Sequence, residues 1–147
     1  MEALKIKKLR DNAVIPVRAT PGSAGIDLCA CIDESITLAS HEKAVVPTGI
    51  AIALPSDAYV ALIYARSGLA VKHGVGLLNA VGVIDSDYRG EICVGLINQL
   101  SQPYEIQPGE RIAQLVITPV VCLPVEECES LDETERGSGG FGSTGKK

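Results

Sequence analysis

The chain has 147 residues, is 46% hydrophobic but only 3% aromatic, and carries a formal net charge of −5 at pH 7. That length suits one domain whose core is built from Val, Ile, Leu and Ala. The acidic balance argues against nucleic-acid binding by phosphate neutralisation, and apolar runs broken by Pro47, Pro55, Asn79 and Asp85 leave no membrane span.

The opening MEALKIKKLRDN has no apolar run of signal-peptide type. Most of the chain beyond it reads as short strands punctuated by Gly and Pro. VIPVRA (14–19) is a strand ending at a Pro21-Gly22-Ser23 turn. GIDLCAC (25–31) places Ile26, Leu28 and Ala30 on one face. SITLASHEKAVVPTGIAIALP holds two or three strands, with Ile50, Ile52 and Leu54 alternating. AYVALIYA (58–65) and EICVGLIN (91–98) continue the pattern, the latter through Ile92, Val94 and Leu96. A Pro108-Gly109 turn separates two more strands in YEIQPGERIAQLVITPVV. SGLAVKHG (67–74) fits two helical turns with Ser67 as N-cap and Gly74 just past the end, a strand being the competing reading. The expectation is an all-β sandwich or barrel with one short helix. Residues 1–131 form the β domain and 132–147 a separate Gly-rich arm.

Five cysteines, at 29, 31, 93, 122 and 128, include no Cys-x-x-Cys pair, and neither His41 nor His73 has ligand spacing to them. A zinc site is not expected, and the cysteines read as buried free thiols in a reducing cytosol.

Four patches interrupt the aliphatic chain. Asp27 sits inside a strand-like run, where Asp is uncommon; a strand edge explains it as readily as a site. Arg66, Ser67 and Gly68 combine a guanidinium, a hydroxyl and helix-start amides, which suits an anion; a capped surface helix with a solvated Arg fits equally. Asp85 follows Val81-Gly82-Val83-Ile84 and so stands at the end of a buried strand, where a carboxylate can act as general base or hold a metal. Asp85-Ser86-Asp87 is also ordinary turn chemistry. Asn79, which donates and accepts, suits the edge of a uracil. Glu110 and Arg111 are placed to pair on a surface turn. Gln114 falls inward by alternation with Ile112 and needs a partner there.

The tail RGSGGFGSTGKK imitates a phosphate-binding loop, with Gly140, Gly145 and Lys146 at the right spacing. A Walker A loop carries Ser or Thr after the Lys, and Lys147 stands there instead. The lead-in VEECESLDETER is acidic and polar, not a buried strand. The loop reading therefore fails, and the only Phe of the chain, Phe141, remains to be explained.

In this order SAGIDL, RSGLA, GVIDSDYRG, GERIAQL and RGSGGFGSTG resemble the five ordered motifs of the trimeric deoxyuridine triphosphate nucleotidohydrolase (dUTPase) family. The likeness runs from about residue 4 to the end of the chain. It implies a jelly-roll-like, distorted β-barrel subunit, a homotrimer with active sites at subunit seams, and a cytoplasmic enzyme. It implies hydrolysis of dUTP to dUMP and pyrophosphate, limiting uracil in DNA and supplying dUMP for thymidylate. By the resemblance, Asp85 activates the water that attacks the α-phosphorus. Asn79 and Gly82 belong to the uracil-reading hairpin, Tyr88 packs on deoxyribose, and Phe141 stacks on the uracil. Arg66, Ser67, Gly68, Gln114, Arg136, Gly142, Ser143 and Thr144 hold phosphates. Asp27 lies near Mg²⁺ and its waters, the ion being carried mainly by the triphosphate. One position departs from the family: Ala65 replaces the usual Pro before Arg66, losing stiffness but no functional group. A dCTP deaminase of the same fold is the nearest rival, and a non-catalytic nucleotide-binding trimer or a plain structural β domain are the others. The intact GVIDSDYRG and the Phe-bearing arm favour the hydrolase.

Overall fold

A computed structural model describes residues 3–141. Eleven strands and one helix are defined among them, and every strand pairing is antiparallel. β1 (Lys5–Lys8) pairs with β5 (Ile50–Ala53), and β3 (Ile36–Leu38) pairs with β10 (Tyr104–Ile106). The largest sheet runs β2 (Gly25–Cys29), β11 (Arg111–Pro119), β6 (Tyr59–Tyr64), β8 (Gly82–Ile84). A third group orders β4 (Lys43–Pro47), β9 (Cys93–Asn98) and β7 (Val75–Leu77). The jelly-roll-like, mostly β expectation holds, but the four sheets do not close into a barrel.

The alternations read from the sequence set the core. Ile26, Leu28 and Ala30 are buried, as are Ile50, Ile52 and Leu54, and Ile92, Val94 and Leu96. Each such aliphatic side chain contributes roughly 1.5–3 kcal/mol by leaving water. The two buried polar side chains are satisfied. Asn98 donates from Nδ2 to the Leu38 and Gln102 carbonyls at 3.0 and 2.7 Å, and Thr48 Oγ1 donates to the Ile92 carbonyl at 2.6 Å.

Several expectations change. Residues 14–19 form no strand: Pro16 has no N–H to give a ladder, and Arg18 bonds back to the Ser23 and Ala24 carbonyls. β1 was not anticipated, because KIKK offers one apolar residue, Ile6, and exists by pairing with β5. The helix α1 spans Ser67–His73, so Ser67 is its first residue and not its cap. Arg66 keeps an extended backbone (φ −86°, ψ 127°) while its carbonyl already accepts from Ala70. Gly74 closes the helix in the left-handed region as expected, at φ 66°. The cysteines are free, but only Cys31 is buried; Cys93, Cys122 and Cys128 are exposed and Cys29 half-buried. No helix among the described residues is long and apolar enough to cross a membrane.

Candidate active site

The outer face of the β2-β11-β6-β8 sheet carries a cross-strand row. Asp27 on β2 is level with Gln114 on β11, which is level with Tyr64 on β6. Asp27 holds two arginines. Its Oδ1 accepts from Arg66 Nε at 2.9 Å and its Oδ2 from Arg111 Nη1 at 3.2 Å. Arg66 Nη1 also donates to the Arg111 carbonyl at 3.3 Å. Arg66 is thereby fixed in place at the start of α1, with Ser67 and Gly68 exposed beside it.

Gln114 reaches this cluster by a route that alternation does not predict. A bulge between Arg111 and Ala113 shifts the register, so Ile112 and Ala113 are both buried and Gln114, expected inward with Ile112, lies half-buried on the face opposite Ala113 and Leu115. Its Nε2 donates to the Ala65 carbonyl at 2.9 Å. That bond anchors the peptide just ahead of Arg66, where the Pro of the family pattern is missing. Gly25 makes room for it: a Cβ there would stand 2.5 Å from Gln114 Oε1. The expected Glu110–Arg111 pair does not form. Arg111 turns to Asp27, while Glu110 accepts from the Tyr104 hydroxyl and the Gln107 amide. Burial, and then Asp27, push the Cys29 thiol up from its ordinary range.

The second group lies across the sheet. Asp85 follows β8 directly and lines a cleft of about 280 Å³ with Val83, Ile84, Tyr88, Glu91 and Cys93. The Tyr88 hydroxyl donates to the Glu91 carbonyl at 3.0 Å. The strand before Asp85 is not buried on both faces: Gly82 is buried, but Val83 is 62% exposed and Asp85 itself is exposed. β8 is an edge strand, and its Val83 face is left open among the described residues. Asn79 is exposed in the β7–β8 turn, where Val81 N donates to the Asn79 carbonyl at 2.7 Å and Ala80 adopts φ 61°. Gly82 fits tightly against β6, since a Cβ would meet Ile63 at 3.0 Å.

Within one chain the two groups are apart. The last β8 pair is Ile84 with Ala61, which continued by one residue sets Asp85 near Val60 on β6, while Asp27 is level with Tyr64. Four residues along a strand and three strand spacings across give roughly 20 Å between them. Arg136 is exposed and bonds from Nε to the Gly139 carbonyl at 3.0 Å, and Phe141 is fully exposed. Gly142, Ser143 and Thr144 lie outside the described residues. Among the described residues no group of three or more His, Cys, Asp or Glu is arranged to hold a metal ion. Both Asp27 oxygens already accept from guanidiniums, whose charge opposes a cation beside them, so this donor set does not fit a resident ion.

Sequence reasoning missed Arg111, Gly25, Gly90 and Glu91. Arg111 was hidden by the bulge and by its adjacency to Glu110. Gly25 read only as the first residue of a strand and Gly90 as the end of a polar turn, although both serve close approach.

The dUTPase family profile matches residues 11–145. A Thiobacillus denitrificans protein named deoxyuridine 5′-triphosphate nucleotidohydrolase is 54% identical over 140 residues, covering 95% of this chain and 94% of its own. The Staphylococcus bacteriophage 80alpha dUTPase, solved with dUpNHpp, superposes with a TM-score of 0.88 at 31% identity, covering 99% of both chains. A mutant dUTPase from phage phi11 of S. aureus, which coordinates a structural Mg(II) ion, gives a TM-score of 0.79 at 26% identity over 89% of this chain and 99% of its own. The chain belongs to the dUTPase family.

Proposed function

We propose that this protein is a dUTP diphosphatase, hydrolysing dUTP to dUMP and pyrophosphate at sites shared between copies of the chain in a homotrimer. The observation that carries the reading is the cleft that sets Asp85 beside Tyr88, just past the β7–β8 turn, in a chain of the dUTPase family. The Asp85 carboxylate faces solvent. It orients a water, takes its proton as the oxygen attacks the α-phosphorus, and the bond to the bridging oxygen breaks to release pyrophosphate. Asn79 and the peptides of its turn read the uracil edge, with Gly82 keeping the hairpin close to β6. Tyr88 packs on the deoxyribose and leaves no room for a 2′-hydroxyl.

Arg66, Ser67, Gly68 and Gln114 hold the phosphate chain, with Asp27 positioning Arg66. Attack on phosphorus needs contact at about 3 Å, whereas Asp85 and the Asp27–Arg66 group of one chain lie roughly 20 Å apart. A second copy must therefore bring its arginine cluster to the Asp85 cleft. The exposed Val83 beside its half-buried cross-strand partner Leu62 supports such a seam. Residues 132–147 form the arm that closes over a neighbouring site, with Phe141 on the uracil and Arg136, Gly142, Ser143 and Thr144 on the phosphates. Mg²⁺ arrives with the substrate, neutralising triphosphate oxygens. The five free cysteines suit a reducing cytoplasm.

The test is pyrophosphate release from dUTP, dCTP, dTTP and UTP, with Mg²⁺ present and ammonia monitored. Release from dUTP alone is expected. Ammonia from dCTP would move the protein to the deaminase branch, and silence on all four with dUTP bound would make it a binding protein.

A further inference from the structure

Tyr88 is seated on a residue without a side chain. A Cβ at Gly90 would stand 2.3 Å from Tyr88 Oη, 2.5 Å from Cζ and 3.0 Å from Cε2, and these are its three nearest heavy atoms. The Gly90 backbone is not in the left-handed region, so alanine is compatible with its conformation. What glycine supplies here is room for the tyrosine ring. The ring's hydroxyl ends on the Glu91 carbonyl at 3.0 Å.

That carbonyl is held firmly. The Glu91 carboxylate accepts from Gly49 N at 2.9 Å and from Arg10 Nη2 at 3.2 Å. The next residue, Ile92, is fully buried; its N–H donates to Ile50 at 2.9 Å and its carbonyl accepts from the Thr48 amide and hydroxyl. Tyr88 itself is 44% exposed, so core packing does not fix the ring. Two contacts do: the flat backbone of Gly90 beneath it and the anchored carbonyl at its tip.

We propose that Gly90 and the Glu91 carbonyl together set the position of the Tyr88 ring, making Gly90 a specificity-determining position for rejection of the 2′-hydroxyl. The inference rests on the placement of Tyr88 against the deoxyribose. An added methyl at these distances displaces the ring by about 1 Å, to reach ordinary contact separations. Such a shift opens space where the sugar's C2′ would lie.

The experiment compares wild type, Gly90→Ala, Tyr88→Ala and the double variant, measuring kcat and KM for dUTP and UTP. Gly90→Ala is expected to lower the dUTP-to-UTP ratio of kcat/KM by about tenfold. In the Tyr88→Ala background it should add nothing, because no ring remains to displace. Tyr88→Phe frees the ring tip from Glu91 without adding an atom, and should lower the ratio even if Gly90→Ala fails to fold. An unchanged ratio in Tyr88→Ala would remove Tyr88 from the sugar and overturn both readings. A relaxed Tyr88→Ala overturns the seating of the ring alone in either of two cases: wild-type ratios in folded Gly90→Ala or in Tyr88→Phe, or a full Gly90→Ala effect in the Tyr88→Ala background.

Discussion

Replacing Asp27 with Asn tests whether this carboxylate acts through arginine or through metal. The amide keeps the shape but one acceptor oxygen only, and its NH₂ must face a guanidinium N–H. One of the two arginines is released. The Arg66 contact is the valuable one: both side chains are largely shielded, at 29% and 27% exposure, and the bond is 2.9 Å. A hydrogen bond to a charged group is worth about 1.5–3 kcal/mol, and residual solvent screening takes it to the lower end. The Arg111 contact, with that side chain 59% exposed, is worth under about 1 kcal/mol. Even where the amide oxygen stays on Arg66, the acceptor has lost its charge, so the hold on Arg66 weakens and kcat/KM for dUTP should fall about tenfold, chiefly through KM. Steady-state kinetics of Asp27→Asn, Arg66→Ala and the double variant check this, each with a Mg²⁺ titration. If Asp27 acts by orienting Arg66, it adds less than about twofold in the Arg66→Ala background, and the Mg²⁺ midpoint stays at the wild-type value. A full tenfold loss in that background, or a shifted Mg²⁺ midpoint, refutes the reasoning.

Three further outcomes are expected. Truncation after Arg136 removes no core residue, so the melting temperature should move by no more than about 2 °C while dUTP turnover collapses; retained turnover would detach the arm from closure. Tyr104 is pushed up to about 12, first by burial and then by its hydrogen bond to Glu110 and that carboxylate's charge. Its contribution to stability is thus fully present below pH 10 and lost as pH rises towards about 12. Tyr104→Phe should flatten the alkaline fall in melting temperature across that window, and an unchanged slope would contradict the assignment. Asp85→Asn and Arg66→Ala chains, each impaired alone, should regain activity when refolded together, because a mixed seam can unite intact Arg66 with intact Asp85. No recovery would count against a site shared between subunits.

The period-2 alternation made much of the fold legible. Leu28, Ile50, Ile92 and Leu96 could be placed inside from their neighbours alone, because a strand with one buried face writes that face into every second residue. β1 was illegible for the same reason, since KIKK has no such face and its strand exists through β5. Register was the other hidden quantity. A single bulge after Arg111 buried Ile112 and Ala113 together and turned Gln114 towards Ala65, which alternation cannot foresee. The residues of the site were named from ordered motifs, but their partners were not. Asp27 and Arg111 are 84 positions apart and meet because β2 and β11 are neighbours in space.

The same rigidity bears on how the site works. Arg66 is fixed by Asp27 and the Gln114–Ala65 bond, and Tyr88 by Glu91, all through contacts within one chain. Each half is therefore built by its own chain's sheet. In the proposed assembly two such surfaces would meet with little side-chain reordering at the seam. In the proposed closure the entropy cost of ordering would fall on the arm, the segment that would also move to release product, and the sheet carries the precision.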